Sequence, residues 1–223
     1  MEKYGWSDRP NPVAFPIERA GYAFIFAAAF VTAVMALLEL TVLALVGLSA
    51  TFFICYFFRD PDRVVPQQDK LVVSPADGKI VAVAKMAENP YYDGSCKKIS
   101  IFMSIFNVHV NRIPLDGDIK RIRYYPGKFF SANLDKASQA NEHNAVWVET
   151  KNGEQVCFVQ IAGLIARRII CRVQEGDPVK RGQRFGLICF GSRLDVYLPE
   201  NTDLKVAVGD RVKAGTTALG ELA

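Results

Sequence analysis

The residues best suited to chemistry in this chain are a glycine and the serine that follows it. Gly191-Ser192 stands between two apolar, strand-like runs, Phe185 to Cys189 and Leu194 to Leu198. A serine hydroxyl can attack the carbonyl of a preceding glycine, which no side chain shields, and turn the amide into an ester. Loss of that ester from the serine β-carbon leaves an amino-terminal dehydroalanine, and hydrolysis of this gives a pyruvoyl group. The plainer reading is a turn, with Gly supplying an unusual φ and Ser bonding locally. The hydroxyl is a weak nucleophile and needs a base. The chain has two histidines, His109 in Asn107-Val108-His109-Val110-Asn111-Arg112 and His143 in Asn141-Glu142-His143-Asn144. Histidine titrates in the useful range. A carboxylate would fix the imidazole tautomer, and Asp77 in Ser74-Pro75-Ala76-Asp77-Gly78 is suited to that work. For His109 the plainer reading is a satisfied strand histidine, and for Asp77 a turn residue bonding its own backbone. The sequence by itself does not bring the three together.

Other chemistries find little support. The five cysteines are scattered without a C-x-x-C pair, and two histidines are few for a zinc site, so we expect no metal. Most of the cysteines lie in apolar runs and read as small core residues in a reducing compartment. There is no phosphate-binding glycine loop, G-x-S-x-G elbow or Rossmann fingerprint. The net charge of +4 suits an anionic membrane surface better than a nucleic acid.

The N-terminal quarter, residues 1–64, reads as a membrane-anchoring segment. From Ala20 to Phe58 the only side chain charged at neutral pH is Glu39. As one helix this run would reach about 58 Å, against a bilayer core of about 30 Å. Split at Glu39, each half reaches about 28 Å, which fits. Glu39 at the tip of a hairpin also avoids a charge at mid-bilayer. Basic residues flank both ends (Lys3, Arg9 and Arg19 before, Arg59 and Arg63 after), so the positive-inside rule keeps both ends in the cytoplasm. A single tilted span, or helices lying in one leaflet, are the other arrangements open to this composition.

Residues 65–223 read as a second, mainly β domain, a small β-sandwich or barrel-sandwich. Short β-branched runs bounded by Gly, Asp, Asn and Pro predict strands at Leu71 to Val73, Lys79 to Ala84, Lys98 to Phe102, Val108 to Ile113, Ala145 to Thr150, Gln155 to Gly163 and Ile169 to Val173. Asn133 to Gln139 could form a short helix. Gly176-Asp177-Pro178-Val179-Lys180-Arg181-Gly182 is echoed by Gly209-Asp210-Arg211-Val212-Lys213-Ala214-Gly215, and Ser74 to Val81 makes a third such corner. Lipoyl and biotinyl carriers share these patterns, and Lys85-Met86 is the nearest imitation of their modified lysine.

Five motifs in this order resemble the phosphatidylserine decarboxylase family in its short, single-anchor branch: Arg59-Asp60-Pro61, Ser74-Pro75-Ala76-Asp77-Gly78, Asn107 to Arg112, Pro126-Gly127 and Phe190-Gly191-Ser192. The resemblance runs from about residue 20 to the end. It implies a proenzyme that cuts itself between Gly191 and Ser192. The β chain would be residues 1–191 and the α chain 192–223, the latter carrying a pyruvoyl group made from Ser192. It implies Asp77, His109 and Ser192 as the self-cleaving triad. It also implies a decarboxylase, a lyase that takes the serine headgroup amine as a Schiff base on the ketone and yields phosphatidylethanolamine. The implied partners are phosphatidylserine and anionic membrane lipid, the implied assembly an α/β heterodimer or a dimer of these, and the implied place the cytoplasmic face of the inner membrane. Longer members carry two histidines three apart where this chain has His109 alone. So His109 serves both self-cleavage and decarboxylation, or Asp77 and a water share the work. Arg193 stands where the longer forms have a small hydroxyl residue. Arg59, Arg63, Arg167 and Arg168 are candidates for the lipid phosphodiester, or serve general attraction to anionic lipid. An archaetidylserine-type decarboxylase or an uncleaved, non-catalytic membrane adaptor would share these motifs.

Overall fold

A computed structural model describes residues 4–8, 13, 15–130, 140–163, 168–189 and 192–223. The expected helix at 133–139 lies outside them. The chain divides into two units, residues 11–62 and residues 1–10 with 63–223.

The smaller unit is a helical hairpin. After a short 3₁₀ turn at Arg19–Gly21, α1 (Tyr22–Leu37) and α2 (Thr41–Phe57) run against each other. The turn has no Gly or Pro. Glu39 makes it instead, in the left-handed region at φ 59°, which costs a non-glycine residue roughly 1–2 kcal/mol. The helices approach closely at Gly47, where a Cβ would come within 2.6 Å of Thr32 Oγ1. Large apolar side chains face outward, Phe26, Leu37 and Val42 among them, each more than two-thirds exposed. With its preceding turn, Arg19–Leu37 is long and apolar enough to cross a bilayer, whereas Thr41–Phe57 is shorter.

The larger unit is mainly β, as expected. Its strands are β1 (Tyr4–Gly5), β2 (Val65–Pro66), β3 (Leu71–Val73), β4 (Gly78–Met86), β5 (Cys96–Met103), β6 (Val110–Arg112), β7 (Gly117–Tyr125) and β8 (His143–Glu149). Then follow β9 (Gln155–Ala162), β10 (Ile169–Cys171), β11 (Pro178–Val179), β12 (Arg184–Ile188), β13 (Ser192–Pro199), β14 (Asp203–Leu204), β15 (Arg211–Val212) and β16 (Ala218–Glu221). An eight-stranded antiparallel sheet has the order β11-β7-β8-β9-β13-β5-β4-β15 and curls into a half-barrel. Two three-stranded sheets, β10-β12-β6 and β14-β16-β3, and the pair β1-β2 complete the unit. The main core holds Ile80, Ile101, Phe158, Phe185, Leu194 and Val196, all fully buried. The reverse face of the large sheet carries a second cluster around Tyr91, Trp147, Ile161 and Tyr197.

The large sheet is nearly palindromic. The echoed corners become β11 and β15, which cap its two edges by pairing with Gly117 and Gly78. The same bonds recur at each end: Ile119 N to Asp177 O and Ile80 N to Asp210 O, Gly176 N to Ile119 O and Gly209 N to Ile80 O. Both β4 and β7 bulge two residues after their glycine. A Cβ at Gly78 or Gly117 would meet a backbone oxygen at 2.3 Å, which excludes any other residue from either corner. The partner of Pro75-Ala76-Asp77-Gly78 is therefore Pro114-Leu115-Asp116-Gly117. Lys85 lies inside β4 opposite Lys97 rather than at a hairpin tip, which removes the carrier reading.

Candidate active site

The site is positioned by a seam between two sheets. In the large sheet β9, β13 and β5 lie side by side; in a small one β10, β12 and β6 lie side by side in the same order. The chain therefore crosses between these sheets three times, from β9 to β10, from β12 to β13 and from β5 to β6. The middle crossing ends at Ser192. Its neighbours are fixed by register, with Ser192 opposite Met103 and Ala162 on one side of the seam. On the other side Leu187 pairs with Val110, and Ile188 with Ile169. His109 immediately precedes Val110, and only residues 189–191 separate Ile188 from Ser192. Gly191, the other half of the expected cleavage site, lies outside the described residues.

Asp77 belongs to the next crossing along. Lys79 pairs with Phe102, so two residues back the Asp77 corner reaches the start of the 104–109 loop, and Pro75 O accepts from Arg112 N just past its end. Strand ends bearing Ser192, His109 and Asp77 thus follow one another across the seam.

Each side chain is held differently. Ser192 is fully buried. Its Oγ donates to the sulfur of Met103 at 3.4 Å, a weak acceptor that leaves the oxygen lone pairs uncommitted by that bond. His109 is also fully buried. Its Nδ1 lies 2.9 Å from the carbonyl oxygen of Asn107. A carbonyl only accepts, so Nδ1 carries the proton and Nε2 keeps the basic lone pair of the neutral ring. The loop is pinned: Asn107 Oδ1 accepts from both Ser104 N (2.9 Å) and Ser104 Oγ (2.8 Å). The expected strand Val108 to Ile113 therefore shortens to Val110–Arg112, with His109 just before it.

Asp77 accepts from Arg63 Nη2 at 2.9 Å through Oδ2 and from Ala214 N at 2.7 Å through Oδ1. The carbonyl of Asn107 thus fixes the imidazole tautomer. Asp116 repeats the arrangement at the other sheet edge, accepting from Arg181 N at 2.9 Å and pairing with Arg181 Nη2. The carboxylate at 77 is the better sheltered, its side chain 12% exposed against 61% for Asp116.

A buried amide relay that the sequence did not disclose ties the seam together. Asn111 Nδ2 approaches Met103 Sδ at 3.8 Å, Gln160 Nε2 donates to Asn111 Oδ1 at 2.9 Å, and Asn144 Nδ2 donates to Gln160 Oε1 at 3.2 Å. Amides at 111 and 160 inside otherwise apolar strands were the available signal. His143 lies elsewhere. It aligns with Ile161 in the reverse-face cluster, with Nδ1 on Asn141 O and Nε2 2.8 Å from the Tyr91 hydroxyl. Of the candidate headgroup arginines, Arg63 is engaged by Asp77, and Arg59 lies over the Tyr56 ring at 3.8 Å. Arg168 is exposed beside the seam, its carbonyl accepting from Cys189 N. Arg167 lies outside the described residues. Among the described residues no cluster of His, Cys, Asp and Glu could hold a metal ion.

The family model described as phosphatidylserine decarboxylase matches residues 50–220. The chain is 51% identical over 205 residues to the phosphatidylserine decarboxylase proenzyme of Syntrophus aciditrophicus, covering 92% of this chain and 96% of the relative. It is 48% identical over 207 residues to that of Desulfotalea psychrophila, covering 93% and 97%. Against that of Burkholderia mallei it is 49% identical over 218 residues, covering 96% and 97%.

Proposed function

The chain belongs to the phosphatidylserine decarboxylase family and decarboxylates phosphatidylserine, and on that premise we propose that it first cuts itself between Gly191 and Ser192 to make its own catalytic ketone. The supporting observation is the seam: β12 and β13, the strands on either side of this junction, pair with β6 and β5, the strands on either side of the loop that carries His109.

His109 Nε2 takes the Ser192 hydroxyl proton, Oγ attacks the Gly191 carbonyl, and the peptide C–N bond breaks as His109 returns the proton to the Ser192 nitrogen, leaving an ester and a free amine. Removal of the Ser192 α-proton expels Gly191 as a carboxylate and leaves dehydroalanine. Water then replaces its nitrogen, which departs as ammonia. The side-chain environment fits the product, because Ser192 sits in a buried position with only a thioether as polar partner among the described residues.

The pyruvoyl group supplies the electron sink for loss of carbon dioxide. The protein's own work is to hold that ketone away from water and to return a proton to the substrate carbon. His109 does the second, since His143 is committed to Tyr91 and Asn141. The same histidine thus serves both stages. Asp77 helps through its charge, which favours the imidazolium formed as His109 takes a proton, while its bonds to Arg63 and Ala214 hold the corner in place.

The hairpin anchors the enzyme in the bilayer that contains its substrate. Basic residues at both ends of the apolar run favour the cytoplasmic face of the inner membrane. The two chains stay together as an α/β heterodimer, because the α chain begins with an interior strand of the large sheet.

Intact mass of the purified protein, beside a Ser192→Ala variant, tests the reading. The native protein gives two chains, 1–191 and 192–223, the smaller without a free amino terminus. The variant gives one chain of 24.7 kDa. A native protein that stays whole after incubation with vesicles of anionic phospholipid overturns the proposal.

A further inference from the structure

Arg193 is 1% exposed, the bulkiest of the fully buried side chains. It lies on the face of β13 opposite Ser192. Its Nε donates to Asp195 Oδ1 at 2.6 Å, and Nη2 donates to Asp195 Oδ2 at 3.2 Å and to Ser100 Oγ on β5 at 2.7 Å. Lys98 Nζ, also on β5, lies 3.1 Å from Asp195 Oδ2. A buried guanidinium is costly to desolvate, and self-cleavage by itself does not call for one at this position.

The need arises after the cut. Ala162 turns both backbone groups toward β8: its N donates to Glu142 O, and its O accepts from Asn141 Nδ2. The alternation of an antiparallel ladder therefore turns the N–H and C=O of Ser192 toward Met103. Conversion to the ketone removes that N–H together with the link to Gly191. The reactive residue becomes a strand end, and strand ends fray. Arg193 is the first residue of the new chain with a side chain bonded to a neighbouring strand.

We propose that Arg193 is a positioning residue of the mature enzyme, its guanidinium on Asp195 and Ser100 keeping the ketone-bearing end of the cut chain in register. The proposal rests on the self-cleavage reading above.

The test uses the full-length protein with phosphatidylserine in mixed micelles, comparing the parent with Arg193→Met, Arg193→Lys and Ser100→Ala. Met leaves Lys98 to balance Asp195. Arg193→Met is expected to cleave and to give a full ketone content by phenylhydrazine labelling. Its kcat should fall about 10- to 100-fold, the scale of an ångström's misplacement, with KM nearly constant. Lys should recover part of that loss. Hydrogen exchange at the start of β13 should rise in cut Arg193→Met but not in the same variant held uncut by Ser192→Ala. A kcat within twofold of the parent, equal loosening in the uncut chain, or a failure to cleave each overturns the proposal. If Arg193→Met does not fold, Ser100→Ala decides, with about a threefold loss of kcat expected for one bond removed and an unchanged kcat refuting. Mass of the parent separates this failure from that of the underlying reading, since an uncut parent defeats both.

Discussion

Replacing Asp77 with asparagine separates charge from scaffolding at this site. The carboxylate makes an ion pair with Arg63 at 2.9 Å and accepts from Ala214 N at 2.7 Å, both partners well sheltered. The amide that replaces it keeps one oxygen for Ala214 but turns an N–H donor toward the guanidinium. Loss of one charge-assisted bond in such a place is worth about 1.5–3 kcal/mol. At roughly 2–4 °C per kcal/mol for a chain of this size, Tm in the Ser192→Ala background should drop by about 3–12 °C. Arg63→Met removes the same pair from the other side and should cost a similar amount. Asp116→Asn provides an internal comparison at the symmetry-related corner, and its smaller shelter predicts a smaller cost. Maturation tells them apart. In time courses of newly synthesised proenzyme resolved by gel, Asp77→Asn should cleave at least 100-fold more slowly, the scale of lost acid–base assistance. Arg63→Met should stay within about tenfold, and Asp116→Asn within about threefold, as expected for stability effects alone. Equal slowing in Asp77→Asn and Arg63→Met at equal Tm would show Asp77 to be a corner tie and refute the catalytic part of the reasoning.

Two further perturbations probe the buried polar groups. Asn111→Leu leaves Gln160 Nε2 with only a 3.5 Å contact to Ile170 O, so uncut protein should lose about 1–3 kcal/mol by thermal unfolding and mature more slowly; an unchanged Tm would show that the relay carries no weight. Burial pushes the Tyr91 and Tyr197 phenols up, with nearby acidic groups adding to it. A phenol whose folded pKa is raised stabilises fully below its unfolded value near 10, and that stability is lost as pH rises toward the folded value. Absorbance at 295 nm should therefore show a late step coincident with loss of circular dichroism above about pH 10, and a complete phenol titration with the fold intact would contradict it.

The family was more legible in the sequence than the architecture that its motifs build. Gly191-Ser192, His109 and Asp77 were visible as reactive types because each is rare or sits in a turn signal. The fold showed in β-branched runs at Ile99, Ile101, Val146 and Val148, all fully buried. Strand β7 was missed because Asp118, Lys120, Arg121 and Arg123 crowd it and the Ile119/Arg121 bulge breaks its alternation. The carbonyl of Asn107 could not be anticipated, since any backbone offers one. Met103, Asn111 and Gln160 meet only through register, and one sequence does not say which strands are neighbours. The palindrome was half visible: the glycine corners at 176 and 209 repeat openly, whereas Pro114 to Gly117 shares only Pro, Asp and Gly with its counterpart.

The interior position of β13 also sets the order of events in the protein's life. With the proposed cut, a strand flanked by β9 and β5 is placed while it is still tethered, and the cut then discards the tether. Before the cut, refolding is unimolecular. Afterwards the strand must find its slot as a separate molecule. Exchanging an effective concentration near millimolar for micromolar protein forfeits about 4 kcal/mol. An enzyme cut in this way would hold a shape it does not readily regain, its unfolding would depend on dilution, and its lifetime would be set by how slowly β13 leaves the sheet.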